Sequence, residues 1–224
     1  MAKMTWHGTG ERILEAGVSE VALFPIGNSG YETGVAWNGV TAINENPSGA
    51  DLTDIYADNI KYASMRSAEK FGFTIEAYTY PDEWAECDGS KEVIAGVFVS
   101  QQPRKAFGLV YKSQIGDETH PGMDKGYKLH IIYNATAAPS SRGYTTINEN
   151  PDAISFSWEA DSTPVAVTDH KPTCEIVVDS TQVNSGKLTT LLNMIYGTDA
   201  SGGSAATNPT MPDPDTVIST LTPN

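Results

Sequence analysis

Six carboxylates crowd the segment from Glu76 to Glu92: Glu76, Asp82, Glu83, Glu86, Asp88 and Glu92. A pair of carboxylates can cleave a glycosidic bond when an apolar pocket holds one protonated while the other stays ionised. Here the charges fall on a strand end and a short polar helix, and the spacing reads as a solvated face. His120-Pro-Gly-Met-Asp124 offers two metal-type donors without a third nearby in sequence, and a turn is the expected form. His7, His130 and His170 are scattered; His130 lies on a strand beside Leu129 and Ile131 and is expected to face solvent. Gly8-Thr-Gly-Glu-Arg12 has the glycines of a phosphate loop but neither its G-K-[ST] ending nor a preceding strand. The chain contains no G-x-S-x-G. Cys87 and Cys174 stand far apart and read as buried free thiols. Asn134-Ala-Thr136 is a glycosylation sequon with no sign of secretion to make it used. These residues predict no catalytic site, no metal and no cofactor.

The elements around them are mostly strands. Phe71, Phe73, Ile75 and Ala77 alternate with Gly72, Thr74, Glu76 and Tyr78, the period of a half-buried strand. Pro81 ends it, Asp82, Glu83 and Glu86 suit the first turns of a short helix, and Gly89 closes that helix. The pattern F-x-x-E-A-x-x-x-P from Phe73 to Pro81 returns from Phe156 to Pro164, and Ile43-Asn-Glu-Asn-Pro47 returns as Ile147-Asn-Glu-Asn-Pro151. The same order both times predicts a duplicated strand-loop-strand unit, although two ordinary Asn/Pro turns are the plainer reading.

Elsewhere, Val21–Pro25 predicts a strand stopped by proline. Val35–Ile43 predicts a strand with a hairpin turn at Asn38-Gly39. Ile55–Met65 predicts one strand, and Val93–Ser100 a buried one. Phe107, Leu109 and Tyr111, then Leu129, Ile131 and Tyr133, form the arms of a long hairpin whose tip is the polar loop Gln114–Gly126. Phe156 and Trp158 point inward from a strand over 154–160, and short strands follow at 163–167 and 174–179. Leu188, Leu191, Leu192 and Ile195 have helical spacing from Asn184 to Tyr196, with Gly197 beyond the end. Three regions follow: an N-terminal arm over 1–17, a β domain over 18–197, and a linker and docking arm over 198–224.

Two polar stretches are longer than plain turns need, and the C-terminal segment ends in an apolar hook. They supply the candidate contacts between subunits or rings: Asn44, Glu45, Asn46, Asp51 and Asp54; Ile115, Asp117, Glu118 and Asp124; and Val217, Ile218 and Leu221.

The formal charge of −14 argues against binding a phosphate backbone. No apolar run is long enough to span a membrane, and the first residues lack an apolar signal core. The chain is therefore expected to be made in a cytoplasm.

TAINENPSGAD, DIYADNIKY, FGFTIEAYTYPDEWAECDG, GYKLHIIYNATAAPS and INENPDAISFSWE together resemble the major tail protein of long-tailed bacteriophages. The resemblance spans about Ala36 to Tyr196; YTYPDEWAECDG is its most specific part, and the termini are similar only loosely. It implies a mainly β, sandwich or barrel subunit with one packed helix and extended arms. Six subunits would close into a ring with a continuous inner barrel, and rings would stack into the tail tube. The implied partners are other copies of the chain, the tape measure, tail terminator and distal tail proteins, and double-stranded DNA that passes without specific binding. The implied location is the virion, after assembly in the host cytoplasm. A non-catalytic β-sandwich binding module, such as a capsid decoration or glycan-binding protein, is the alternative. It explains the strands but not two apolar-tipped arms.

Overall fold

Apolar side chains at every second position mark the strands over Glu69–Ala77 and Phe156–Ser162, and turn residues decide where strands break. The computed structural model describes residues 4, 6–147, 153–201 and 205–223. The first half contains β1 (Leu14–Gly27), β2 (Gly30–Tyr31), β3 (Val35–Ala36), β4 (Val40–Glu45), β5 (Ser48–Gly49), β6 (Leu52–Ala57), β7 (Ile60–Arg66), β8 (Glu69–Ala77) and the single helical turn α1 (Trp84–Cys87). The second half contains β9 (Ser90–Ile94), β10 (Val97–Ser100), β11 (Phe107–Gly116), β12 (Gly126–Ala137), β13 (Phe156–Ser162), β14 (Glu175–Asp179), α2 (Ser185–Tyr196) and α3 (Pro214–Leu221). The fold is mainly β, as the alternation predicts.

Ten strands form one sheet with the path β2-β1-β11-β12-β13-β8-β4; β3 adds to β1, β5 to β8 and β14 to β12. β12 changes partner along its length, pairing β14 through Lys128–Ile132 and β13 through Ala135–Ala137. Asn134 sits at the changeover with φ 45°, a conformation that asparagine tolerates better than most residues, and β11 shifts register opposite it. Such irregularities bend a sheet. Here it curls until residues of β1, β8, β11, β12 and β13 meet around one core. A seam remains between β1 and β4, which do not pair.

The inner core is built on indoles. Trp84 from α1 lies 4.6 Å from Trp37 and 5.4 Å from Trp158, ring centre to ring centre. The short helix read as a solvated face is therefore a plug: Trp84 and Cys87 are buried while Asp82 and Glu83 stay outside. The outer face of β1, β11, β12 and β14 carries a second core, covered by α2 and α3. Asn184 caps α2 by accepting from the amides of Gly186 and Lys187.

The two F-x-x-E-A copies are antiparallel neighbours. Phe73 pairs with Ala160, Ile75 with Trp158, and Ala77 with Phe156, so each phenylalanine stands opposite the other copy's alanine. Large opposite small lets both rings lie on the same core. The second Ile-Asn-Glu-Asn-Pro lies outside the described residues after Ile147.

Several expectations need correction. β1 runs through Pro25 because the carbonyl of Pro25 faces β2, accepting from Glu32 N, so the missing N–H faces that short edge and not β11. Asn38-Gly39 is a corner and no hairpin: β3 pairs with β1, and β4 with β8. Gly39 has φ 80°, and an added Cβ would lie 2.9 Å from Thr79 Cγ2. Ile55–Met65 spans two strands, β6 and β7, joined by Asp58 and Asn59 with φ of 51° and 63°, the geometry of a tight primed turn. The buried strand expected over Val93–Ser100 is instead an exposed hairpin, β9 and β10, turned at Gly96 with φ 79°. Residues 44–54 form parts of β4, β5 and β6.

Candidate functional site

The two side hairpins carry the least expected surface. Neither joins the main sheet. On β6 and β7, Leu52, Tyr56, Ile60, Tyr62 and Met65 are each at least 60% exposed. On β9 and β10, Val93, Ile94, Val97, Phe98 and Val99 are all exposed. Hydrophobic strand residues facing water on isolated two-stranded ribbons are unusual, because such ribbons are barely stable alone and invite pairing. Among the proposed contacts here, Asp51 and Asp54 are exposed, and Asp54 holds its own ribbon together through Lys61 at 2.8 Å and Ser64 at 2.7 Å. The Lys61 and Ser64 hydrogen bonds hold the Asp54 carboxyl below its usual range. Asn44, Glu45 and Asn46 are exposed on and just after β4, and the Glu45 carboxylate accepts a hydrogen bond from the Tyr111 hydroxyl.

The tip between β11 and β12 is a bonded knot rather than a loose loop. Ile115 is 3% exposed and Asp117 4%. Asp117 accepts from Lys125 Nζ at 2.8 Å, Thr119 N at 2.7 Å, Thr119 Oγ1 at 2.6 Å and His120 N at 2.8 Å. Both residues are thus fixtures of the tip and are not free to touch a neighbour. Glu118 and Asp124 are exposed. Glu118 Oε1 takes Gly10 N at 2.6 Å, and Lys125 Nζ donates to Gly10 O at 2.9 Å. Gly10 and Arg12 are therefore tied to the tip, and β1 begins at Leu14, within the region expected as the N-terminal arm over 1–17.

Lys125 first, then Thr119, hold the Asp117 carboxyl far below its ordinary value. A carboxyl with a depressed folded-state pKa contributes stability above its unfolded pKa and loses it as pH falls through the folded value. Asp117→Asn is expected to lower the unfolding midpoint at pH 7, and the gap to the parent chain should narrow below about pH 3.8. Thermal scans of both chains from pH 3 to 8 read this; a gap unchanged across that range refutes it.

The C-terminal hook is packed within its own chain. Val217 is 1% exposed and Met211 9%, both in the core under α2. Asp213 caps α3 through Thr216 N at 2.8 Å, and Asp215 takes Thr168 N at 2.9 Å. Val217 is accordingly not available to another subunit; Leu221 is half-buried on the same core, and Ile218 is 41% exposed. The segment became a helix because Asp213-Pro214 is a capped helix start, a signal hidden by the prolines around it.

The carboxylates of 76–92 have separate employments. Glu86 pairs with Lys105, Asp88 with Arg142, and Glu92 takes Gly96 N at 2.7 Å. Burial pushes the Cys87 thiol up to about 12. Cys174 is half-buried, against expectation, with its thiol 3.5 Å from Ser162 O.

His130 also departs from expectation. Its side chain is 12% exposed, stacked on Tyr111 with ring centres 4.5 Å apart and 2° between planes. Its Nδ1 lies 2.8 Å from Glu175, and its Nε2 3.1 Å from Ser113 Oγ. Burial pushes Glu175 above the usual carboxylate range despite the His130 hydrogen bond. Burial also raises Glu15, but Lys128 and Ser113 outweigh it and hold that carboxyl low. No protein-family model matches the chain, and no curated protein matches it significantly.

Proposed function

We propose that this chain is a structural subunit that polymerises as stacked six-membered rings into a hollow tube, the role of the major tail protein of long-tailed phages. On this reading it is a non-catalytic component of the virion, carries double-stranded DNA without gripping it, and meets tape measure, terminator and distal tail proteins at the tube ends.

The observation that carries the reading is the pair of apolar hairpins standing off the main sheet. A ribbon such as β6–β7, with Tyr56, Ile60, Tyr62 and Met65 in water, has no core of its own to lie on. Contact with another copy would bury it, and identical subunits offer the same ribbon at every step. Two different patches on one chain suit head-to-tail contacts, which grow filaments when they do not close. The net charge of −14 fits a conduit that repels phosphate.

The test is direct. Negative-stain micrographs of purified full-length protein across a concentration series should show rings or hollow tubes of constant diameter. Single particles at every concentration, with a monomer mass in sedimentation, would defeat the proposal and leave the binding-module alternative.

A further inference from the structure

Three strands bring polar side chains to one point. Glu45 of β4, His130 of β12 and Glu175 of β14 place ligand-type atoms within 4.8 Å of one another. His130 Nδ1 faces both carboxylates, 2.8 Å from Glu175 Oε1 and 3.6 Å from Glu45 Oε1.

The far side of the ring fixes what the near side can be. Ser113 Oγ has one proton, and it goes to Glu15 Oε1 at 2.6 Å. Toward His130 Nε2, 3.1 Å away, Ser113 is therefore an acceptor, and Nε2 is the protonated nitrogen. In the neutral ring the lone pair is then on Nδ1, aimed at Glu175. Two acceptors facing each other at 2.8 Å need either a proton or a metal ion between them. The charge count agrees. Lys128 answers Glu15, and no lysine or arginine among the described residues pairs with Glu45 or Glu175, whose shared partner is His130.

The spacing suits a metal ion. Zinc–nitrogen and zinc–oxygen bonds of about 2.0–2.2 Å at a tetrahedral angle put the two donor atoms about 3.3 Å apart. The two observed nitrogen–oxygen distances lie on either side of that value. Tyr111 supplies the outer support such sites use: its ring stacks on His130 and its hydroxyl donates to Glu45. One imidazole with two carboxylates favours a first-row transition ion over magnesium or calcium. Glu45 is exposed, so water can reach the remaining position.

We propose that Glu45, His130 and Glu175 bind one divalent transition-metal ion, with Zn2+ as the best match to the donors. The ion would clamp the end of β4 to the β12–β14 pair beside the seam of the curled sheet. This inference stands apart from the tube reading, since it concerns a single chain.

The experiment uses full-length protein stripped with a chelator and then freed of it, with Zn2+ and Co2+ as probes. One Zn2+ per chain should be taken from a chromophoric competitor, and bound Co2+ should show visible absorption bands. Free Zn2+ at a hundredfold excess over Kd should raise the folding constant roughly a hundredfold. Glu45→Gln, at an exposed position, and Glu175→Gln should each weaken binding by about tenfold or more. Tyr111→Phe should weaken it about 10–100-fold through positioning. Folded parent protein that takes up no Zn2+ overturns the proposal. So does binding undiminished in Glu45→Gln, or binding abolished by His120→Asn instead. A Nε2- and Nδ1-protonated His130 in NMR spectra that Zn2+ leaves unchanged also overturns it, because a proton alone would then hold the cluster together.

Discussion

Removing residues 198–224 should unfold the domain rather than release an intact monomer. The segment looks like a tether with a hook, yet Met211, Pro214 and Val217 are buried, and the outer core of Leu129, Ile131, Tyr133 and Val178 lies beneath α2 and α3. Burying a side chain such as Val217 or Met211 contributes about 1.5–3 kcal/mol. Two of them, about 3–6 kcal/mol together, approach half of the roughly 5–15 kcal/mol that holds a typical domain together. Truncation also uncovers the partners left behind and strips Thr210 N from Met194 O at the end of α2. The expected result is a chain that binds a hydrophobic dye and has lost its near-ultraviolet circular dichroism. Val217→Asp should reproduce most of this at full length, because it places a charge in an apolar core. A truncated chain that melts cooperatively at the parent midpoint would show that α3 is an accessory after all.

How far this architecture could be read beforehand depended on which signal each residue carried. Phe73, Ile75, Ala77 and Trp158 were legible because strict alternation has one structural meaning when one face is buried. Helix α2 was legible because Asn184, four spaced leucine and isoleucine positions and Gly197 agree with one another. The β9–β10 hairpin defeats the expectation of burial because Val93, Val97 and Val99 are excellent strand residues, but only topology decides whether a sheet lies over them. The turn at Asp58-Asn59 was missed since neither residue is the glycine usually found at positive φ. The cluster around His130 has no signature in the spacing of its members. Glu45, Ser113, Glu175 and Glu15 come from separate strands, and no spacing along the chain connects them. What did carry a hint was alternation on β12, which places His130 opposite in sense to Leu129 and Ile131 and therefore on the inner face with Ile132.

Charging the β6–β7 hairpin should abolish assembly while sparing the fold. Ile60 and Met65 are 64% and 63% exposed, so Ile60→Lys with Met65→Lys removes almost nothing from the chain's own core. Surface changes of this kind usually alter stability by no more than about 0.5 kcal/mol, and the unfolding midpoint should stay where it is. In an assembled tube the same positions would be covered. Losing about 1.5–3 kcal/mol of apolar burial at each site, before any cost of desolvating the lysine, raises the concentration needed for polymerisation. Since each 1.4 kcal/mol is tenfold, two sites together imply at least a hundredfold shift. Phe98→Lys on the second hairpin should act in the same direction if both ribbons lie in subunit contacts. Light scattering and sedimentation velocity across a dilution series read the threshold directly. Added salt should not rescue the double variant, because the loss is one of apolar contact and not of charge attraction, which screening over about 10 Å at 0.1 M would change. Tubes that form at the parent threshold from the double-lysine chain would show that β6–β7 faces solvent in the assembly. The subunit contacts would then have to be sought on β9–β10 and the exposed Glu118 and Asp124 of the tip.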